Sequence, residues 1–202
     1  MDLVTDAVRR MEEVICGSGC QDSNVRIRRS PDADVCRYER GVPLVFEYGG
    51  VFIDCVTNYP LEATTRVNFL FGAQLDTPEK RTAACGIMNA VGRFLCLCRS
   101  GRACRPDDHA RCMGQLEEHL AGRKVAVIGR AAPSLSGLAG VSYVDTPAEA
   151  DIILVAGDGL FREESVSVAD ACRGEVPLLF VGPTTAGCAS FLGVDHWCPY
   201  SR

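Results

Sequence analysis

Lysine is nearly absent from this chain: Lys80 and Lys124 are the only two, and arginine carries almost all of the positive charge. With 26 acidic residues against 21 basic ones the formal net charge is -5, which excludes a general electrostatic hold on nucleic acid. The densest basic group, Arg26, Arg28 and Arg29, reads as a solvated strand edge. Long apolar runs are missing too. None reaches the roughly 18–20 residues that a membrane span requires. The opening MDLVTDAVRRMEE is acidic and lacks the pattern of a secretory signal, so a cytoplasmic protein is expected. Nucleotide fingerprints are also absent. After the strand-like VAVIG the chain continues RAAPSLSG, where a dinucleotide site wants GxGxxG, and no Walker sequence occurs. Asp145, at the end of the next strand, stands where a ribose-binding acid would sit but lacks those glycines.

What the chain has in excess is cysteine. Twelve occur in 202 residues. In a secreted protein they would suggest disulfides, but a reducing cytosol leaves them as free, buried or ligating thiols. So many thiols also fit an anaerobic host. Hydrophobic residues at 47% and charged residues at 23% are ordinary for a globular protein.

The N-terminal part reads as one helix and a small antiparallel sheet. Leu3, Val4, Ala7, Val8, Met11, Val14 and Ile15 have helical spacing, and Gly17 and Gly19 end that helix. VRIRR, DVCRYE, PLVFEY and VFIDCVT read as short strands, with a tight turn at the Gly49–Gly50 pair. Thr77 and Pro78 start a second, broadly apolar helix that Ser100-Gly101 breaks. A polar loop over 102–112 leads into a further helix, with Asp107 or Asp108 as its N-cap. From Lys124 onward strands and helices alternate: KVAVIG, VSYVD, DIILVAG, VPLLFVG and the terminal VDHW are strands, and FREESVSVADACRG is a crossover helix. The expected fold class is α/β: a small N-terminal α+β domain over 1–76, connecting helices with a Cys-rich loop over 77–121, and a Rossmann-like parallel sheet with helices on both faces over 122–202. That sheet holds enough Val, Ile and Leu to fold by itself.

Two candidate sites follow. Ligands of open parallel sheets bind at the carboxyl ends of the strands. Here those ends carry Gly129, Gly157 with Asp158 and Gly159, and Gly182 leading into Pro183, Thr184, Thr185 and Gly187. The last turn is the most suggestive, since free amides at a helix start hold phosphate or carboxylate groups, although ordinary turn and capping roles account for the same residues. The second site is a metal centre. Cys98, Cys104 and Cys112 lie in or beside the polar loop, and Cys198 follows the final strand. Thiolates grouped near His109, and His196 two residues before Cys198, are a donor set for a transition metal or an iron–sulfur cluster. The spacing is not that of a zinc knuckle, and reduced thiols without any ligand are the plain alternative. Cys36, Cys55, Cys85 and Cys172 read as small core residues, Cys16 and Cys20 as structural ones, and Cys188 as packing beside the GPTTAG turn.

RTAACGIMNAVGRF, RACRPDDHARC, KVAVIG, AGDGLF and FVGPTTAGCASFLGVDHWCPYSR together resemble an archaeal and anaerobic bacterial family named for heavy-metal chelation, of unknown function. Members join a region similar to the enolase N-terminal fold to a Rossmann-like domain. The resemblance covers about residues 81–202, with Arg102-Ala103-Cys104 where many members have His-Cys and with Pro106 before the acids rather than after them. It implies a metal or metal-containing cofactor bound between the two parts, with a role in anaerobic cofactor biosynthesis. The expected partners are therefore a small anionic ligand or a metal-containing cofactor, without nucleic acid or membrane, and with a homodimer left open. An enzyme of anaerobic cofactor or tetrapyrrole metabolism, acting on a small carboxylated or phosphorylated substrate, and a metal-free interaction module are the alternatives.

Overall fold

A computed structural model describes residues 1–129 and 134–202. Helix α1 (Leu3–Ile15) starts where the Asp2 carboxylate accepts the Thr5 amide at 2.9 Å and buries its Leu3, Val4, Ala7, Val8, Met11 and Ile15 stripe. Strands β1 (Asn24–Arg29), β2 (Val42–Tyr48), β3 (Val51–Thr57) and β4 (Ala63–Arg66) form an antiparallel sheet in the order β3-β2-β1-β4. Gly49 and Gly50 both take positive φ, 56° and 81°, which the tight β2–β3 hairpin requires. Helix α2 (Pro78–Phe94) is capped by Thr77 as expected and lies across β2, with Gly86 leaving the space that the Phe46 ring fills.

Two readings of this half change. Residues 34–39 pair with no strand; they lie in the turn-rich connection between β1 and β2. Their alternating burial imitates a strand, but there is no neighbouring ladder for them to join. Strand β4 was not anticipated, because Ala63-Thr64-Thr65-Arg66 carries no apolar alternation and stands at the sheet edge.

After α2, a 3-10 turn at Pro106–Asp108 leads into helix α3 (His109–Leu120). Asp108 occupies the cap position without a side-chain cap bond. The parallel sheet then forms from β5 (Lys124–Ile128), β6 (Ser142–Tyr143), β7 (Ile152–Val155), β8 (Leu178–Val181) and β9 (Asp195–Trp197), in the order β6-β5-β7-β8-β9. Helices α4 (Glu163–Cys172) and α5 (Ala186–Leu192) make the crossovers after β7 and β8. Strand alternation sorts the core into two faces. Ala126, Ile128, Ile153, Val155, Leu178 and Phe180 share one apolar cluster with α1, α2, α4, α5 and the antiparallel sheet. Val125, Ile152, Leu154, Leu179 and Val181 pack with Leu116 and Leu120 of α3 on the other face, together with Cys36, Tyr38 and Cys112. The chain is thus α/β, with a Rossmann-like sheet covered on both sides. No helix among the described residues is long and apolar enough to cross a membrane.

Candidate functional site

Numbered by position along the chain, the parallel strands run 2-1-3-4-5 across the sheet, an order whose ligand crevice opens between the carboxyl ends of the first and third strands, β5 and β7. Here that corner is packed with backbone. Gly129 has φ +101° and lies so close to the Gly157–Leu160 turn that a Cβ would stand 2.4 Å from the Gly159 amide nitrogen. Gly157 abuts Thr184, whose Cγ2 would lie 2.9 Å from a Cβ there, and the buried Asp158 accepts from Asn58 Nδ2 at 3.3 Å. Arg130–Pro133, which follow Gly129, lie outside the described residues.

The GPTTAG turn sits against β3 and α2. Thr184 Oγ1 accepts the Val56 amide at 2.9 Å, and the Thr185 hydroxyl hydrogen-bonds within its own turn, with the carbonyls of Val181 and Gly182 as acceptors. The buried Asn89 donates through Nδ2 to the carbonyls of Pro183 and Thr184, at 3.2 and 2.8 Å, and accepts the Gly187 amide through Oδ1. The Thr184 amide donates at 2.9 Å to Oε1 of Glu39. The helix start expected to meet an external anion therefore has a carboxylate and a carboxamide of this chain in place.

Glu39 leads to the thiols. It is buried, and burial pushes its pKa up to about 7 despite the Thr184 hydrogen bonds. Its Oε2 has no hydrogen-bond partner among the described residues. Cys36 and Cys198 both lie within its electrostatic reach and within each other's. Cys36 feels the charge of Cys104, and Cys104 and Cys198 each feel that of Cys112. The Tyr38 hydroxyl stands 3.5 Å from Cys112 Sγ. Burial is the leading cause that raises the Cys36 and Cys104 thiols and pushes Cys198 up to about 12, so these thiols are neutral in the metal-free protein at ordinary pH.

Three chain segments build this cluster: the 30–41 connection, the 98–112 loop and the run after β9. Backbone bonds tie the loop to the terminal run, and side chains tie the 30–41 connection to both. The Gly101 carbonyl accepts from Asp54, the Arg102 amide and carbonyl bond the carbonyl and amide of Arg202, and Ser201 Oγ donates to Ser100 Oγ at 2.7 Å. The Arg202 guanidinium donates to the Ala103 carbonyl and pairs with Asp34 at 2.6 Å.

Cys98, His196 and Cys198 share the wall of a cavity of about 610 Å³. Cys98 directs its thiol toward the carbonyls of Asn89 and Ser100, at 3.8 and 3.9 Å, and burial pushes it up to about 11. His196 Nε2 lies 2.9 Å from the Gly182 carbonyl, which can only accept, so Nε2 carries the proton and Nδ1 keeps its lone pair. Burial lowers the His196 pKa, and the ring is neutral. His109 begins α3, one turn before Cys112; its buried Nε2 has no partner among the described residues, and burial followed by the Arg37 charge lowers its pKa. Among the described residues no three His, Cys, Asp or Glu side chains are arranged as a ready-made metal site. Of the thiols, Cys36 and Cys112 pack in one apolar cluster with Tyr38, and Cys98 and Cys198 line one cavity. Cys36 and Glu39 were missed from sequence because the 34–39 stretch reads as a strand, in which Cys36 would be core and Glu39 solvated.

No known protein family's model matches the chain, and no curated protein matches it. Among solved structures it is similar to a Pyrococcus horikoshii protein described as of unknown function and of the DUF364 family, at 13% identity and a TM-score of 0.48. The match covers 90% of this chain and 79% of that one. It brings neither a ligand nor an activity to this chain.

Proposed function

We propose that the chain binds a transition-metal ion or an iron–sulfur cluster through thiolates drawn from Cys36, Cys104, Cys112 and Cys198. What supports this reading is that three distant segments pack Cys36, Ala103, Cys112, Trp197 and Tyr200 into one cluster, close in sequence to the buried Cys104 and to a buried Glu39 with one oxygen unpartnered among the described residues. Such donors fit a soft or borderline cation, and an orphaned buried carboxyl oxygen is costly without a proton or a cation. A bound metal would supply Lewis-acid or redox chemistry, and Cys198 is the member of this set that lines the adjoining cavity. The chain's own contribution is to hold the thiols on segments tied at Gly101, Arg102 and Arg202 and to shield them with Tyr38 and Trp197, the thiol protons passing to solvent as a cation binds. Metal binding by thiols releases protons, so loading strengthens as pH rises.

The test is anaerobic purification with elemental analysis. Stoichiometric metal is expected, and brown protein absorbing at about 400 nm would identify a cluster. Replacing Cys104 and Cys112 together by Ser should strip the metal yet leave a soluble, cooperatively folded chain. Metal retained in that variant would refute this site.

A second reading rests on the cavity itself. Arg99, Ser100, Ser190 and Ser201 line it beside Trp197 and His196, a cation and hydroxyls suited to a small carboxylated or phosphorylated substrate. Saturable binding of such a compound to metal-free protein would favour an enzyme of that kind.

A further inference from the structure

We propose that the open edge of β4 docks a second copy of this chain: two β4 strands pair antiparallel about a two-fold axis at Thr64, and at each end Glu62 of one copy faces Arg66 of the other. The interface does not depend on the metal reading above.

The ladder fixes which way the β4 backbone points. Strand β4 pairs with β1 on one side only, with Thr65 opposite Val25 and Ala63 opposite Ile27. Just beyond, the Val67 amide donates to the Ser23 carbonyl at 3.3 Å. Bonding alternates along an antiparallel pair, so Val67, Thr65 and Ala63 turn their amides and carbonyls toward β1. Thr64 and Arg66, and by the same alternation Glu62, turn theirs outward. The Thr64 amide and carbonyl have no partner among the described residues, and the Arg66 carbonyl accepts the Thr65 hydroxyl at 3.4 Å. The far edge of the same sheet is closed by this chain. There the outward amides of Asp54 and Val56 in β3 donate to the Gly101 carbonyl at 2.8 Å and to the Thr184 hydroxyl oxygen at 2.9 Å. An edge left open as β4 is left is a template for another strand.

The side chains select the chain's own edge as the occupant. Glu62, Thr64 and Arg66 are exposed and alternate with the half-buried Ala63 and Thr65. When Thr64 stands opposite Thr64 of the second copy, Glu62 stands opposite Arg66 at both ends. In that register every outward amide and carbonyl meets an outward partner, and a carboxylate meets a guanidinium twice. A slip of one residue sets outward groups against inward ones. Opposite charges directly across a strand pair stabilise it and like charges destabilise it. Arg66 has no acidic partner among the described residues, and Glu62 holds only an exposed pair with Arg29 at 3.4 Å, so both are accessible. Phe69, 69% exposed, stands just past the strand on the wall of an apolar cavity of about 340 Å³ that Leu61 and Ala63 also line. It adds apolar area beside a short ladder. An unrelated extended peptide would satisfy the same backbone groups, but it has no reason to carry opposite charges four residues apart in this order.

Sedimentation of the full chain under reducing conditions tests this. At about 100 μM the wild type should show twice the chain mass of 21.8 kDa and dissociate on dilution, as a small interface does. Thr64→Pro removes the outward amide while leaving the β1 ladder intact, and it should be monomeric. Arg66→Glu and, separately, Glu62→Arg set like charges across both ends, and each should weaken dimerisation by at least about tenfold. An equimolar mixture of those two variants should dimerise again as a heterodimer, because each chain then carries the charge that the other needs. A general loss of folding cannot produce that recovery. A wild type that stays monomeric at this concentration would overturn the proposal and leave the edge to a strand from a different protein. A dimer that persists in Thr64→Pro would place the contact elsewhere and overturn this interface. So would charge variants that dimerise as the wild type does, or that fail to recombine on mixing. If Thr64→Pro does not fold, the charge variants and their mixture decide alone.

Discussion

Asn89 shows how much one side chain carries at the junction of the two sheets. It is buried in the middle of α2, and it satisfies two carbonyls and one amide of the GPTTAG turn at once. Truncation would leave three backbone groups unpaired where water has little access. Asn89→Ala should therefore cost about 2–4 kcal/mol, read as a lower midpoint in urea denaturation with little change in slope. A change under about 0.5 kcal/mol would mean that water replaces the side chain without loss. None of this was legible in the sequence, where Asn89 is a polar residue in an apolar helix. Glu39 was hidden for a related reason. Alternation places Cys36 and Tyr38 on one face and Glu39 on the other, yet the segment buries all three because it is an unpaired connection crossing a corner. The loop thiols stand out in the sequence because their segment is polar, yet Cys98, Cys104 and Cys112 are all buried, and Cys112 packs with Leu116 and Leu120, a packing role the polar segment conceals.

Elements were easier to read than contacts between them. Helices α1, α2, α4 and α5 and most strands follow from periodicity and capping, because each carries its own local signal. What joins them does not. Asp6 of α1 is nearly buried and pairs with Arg9 at 2.9 Å, with Arg10 at 3.3 Å, and with Arg173 just beyond α4 at 2.8 Å. Burial alone pushes the Asp6 carboxyl up; the hydrogen bonds from Arg173 and Arg9 and the Arg10 charge outweigh it and hold the pKa below the ordinary 3.8. The unfolded chain then binds a proton more readily than the folded one. The stability from this cluster is fully present above about pH 4 and is lost as pH falls through the lowered folded value. Asp6→Asn should destabilise the protein by about 1–3 kcal/mol at neutral pH, through guanidinium groups left without their anion. Its acid limb should be shallower than that of the wild type. Parallel acid limbs would show that Asp6 does not set the acid response.

At the scale of the whole molecule, the division into an antiparallel part and a parallel part does not divide the core. Leu3 and Met11 of α1, Phe46 of β2, Met88 of α2 and Phe180 of β8 belong to a single apolar cluster. Val and Ile content alone suggests that the parallel sheet can fold by itself. That content is silent about which face is covered by α1 and α2 and which by α3, so the sequence leaves open how far the two parts depend on each other. With this cluster shared, separating the parts would expose large apolar surfaces on both, at roughly 25 cal/mol for each Å². The chain should therefore unfold as one unit. Trp197, the single tryptophan, lies in β9 and stacks on His119 at 5.4 Å, so its fluorescence follows the parallel sheet. Far-ultraviolet circular dichroism is weighted toward the helices, of which α1 and α2 are the longest. In metal-free protein the two signals should give coincident transitions in urea, and a fragment of residues 122–202 should fail to fold cooperatively. Separate midpoints, or a folded fragment, would mean that the junction at Asn89, Thr184 and Val56 joins two independent domains. Metal bound by the three segments around Glu39 would then stabilise how those domains sit together rather than how either one folds.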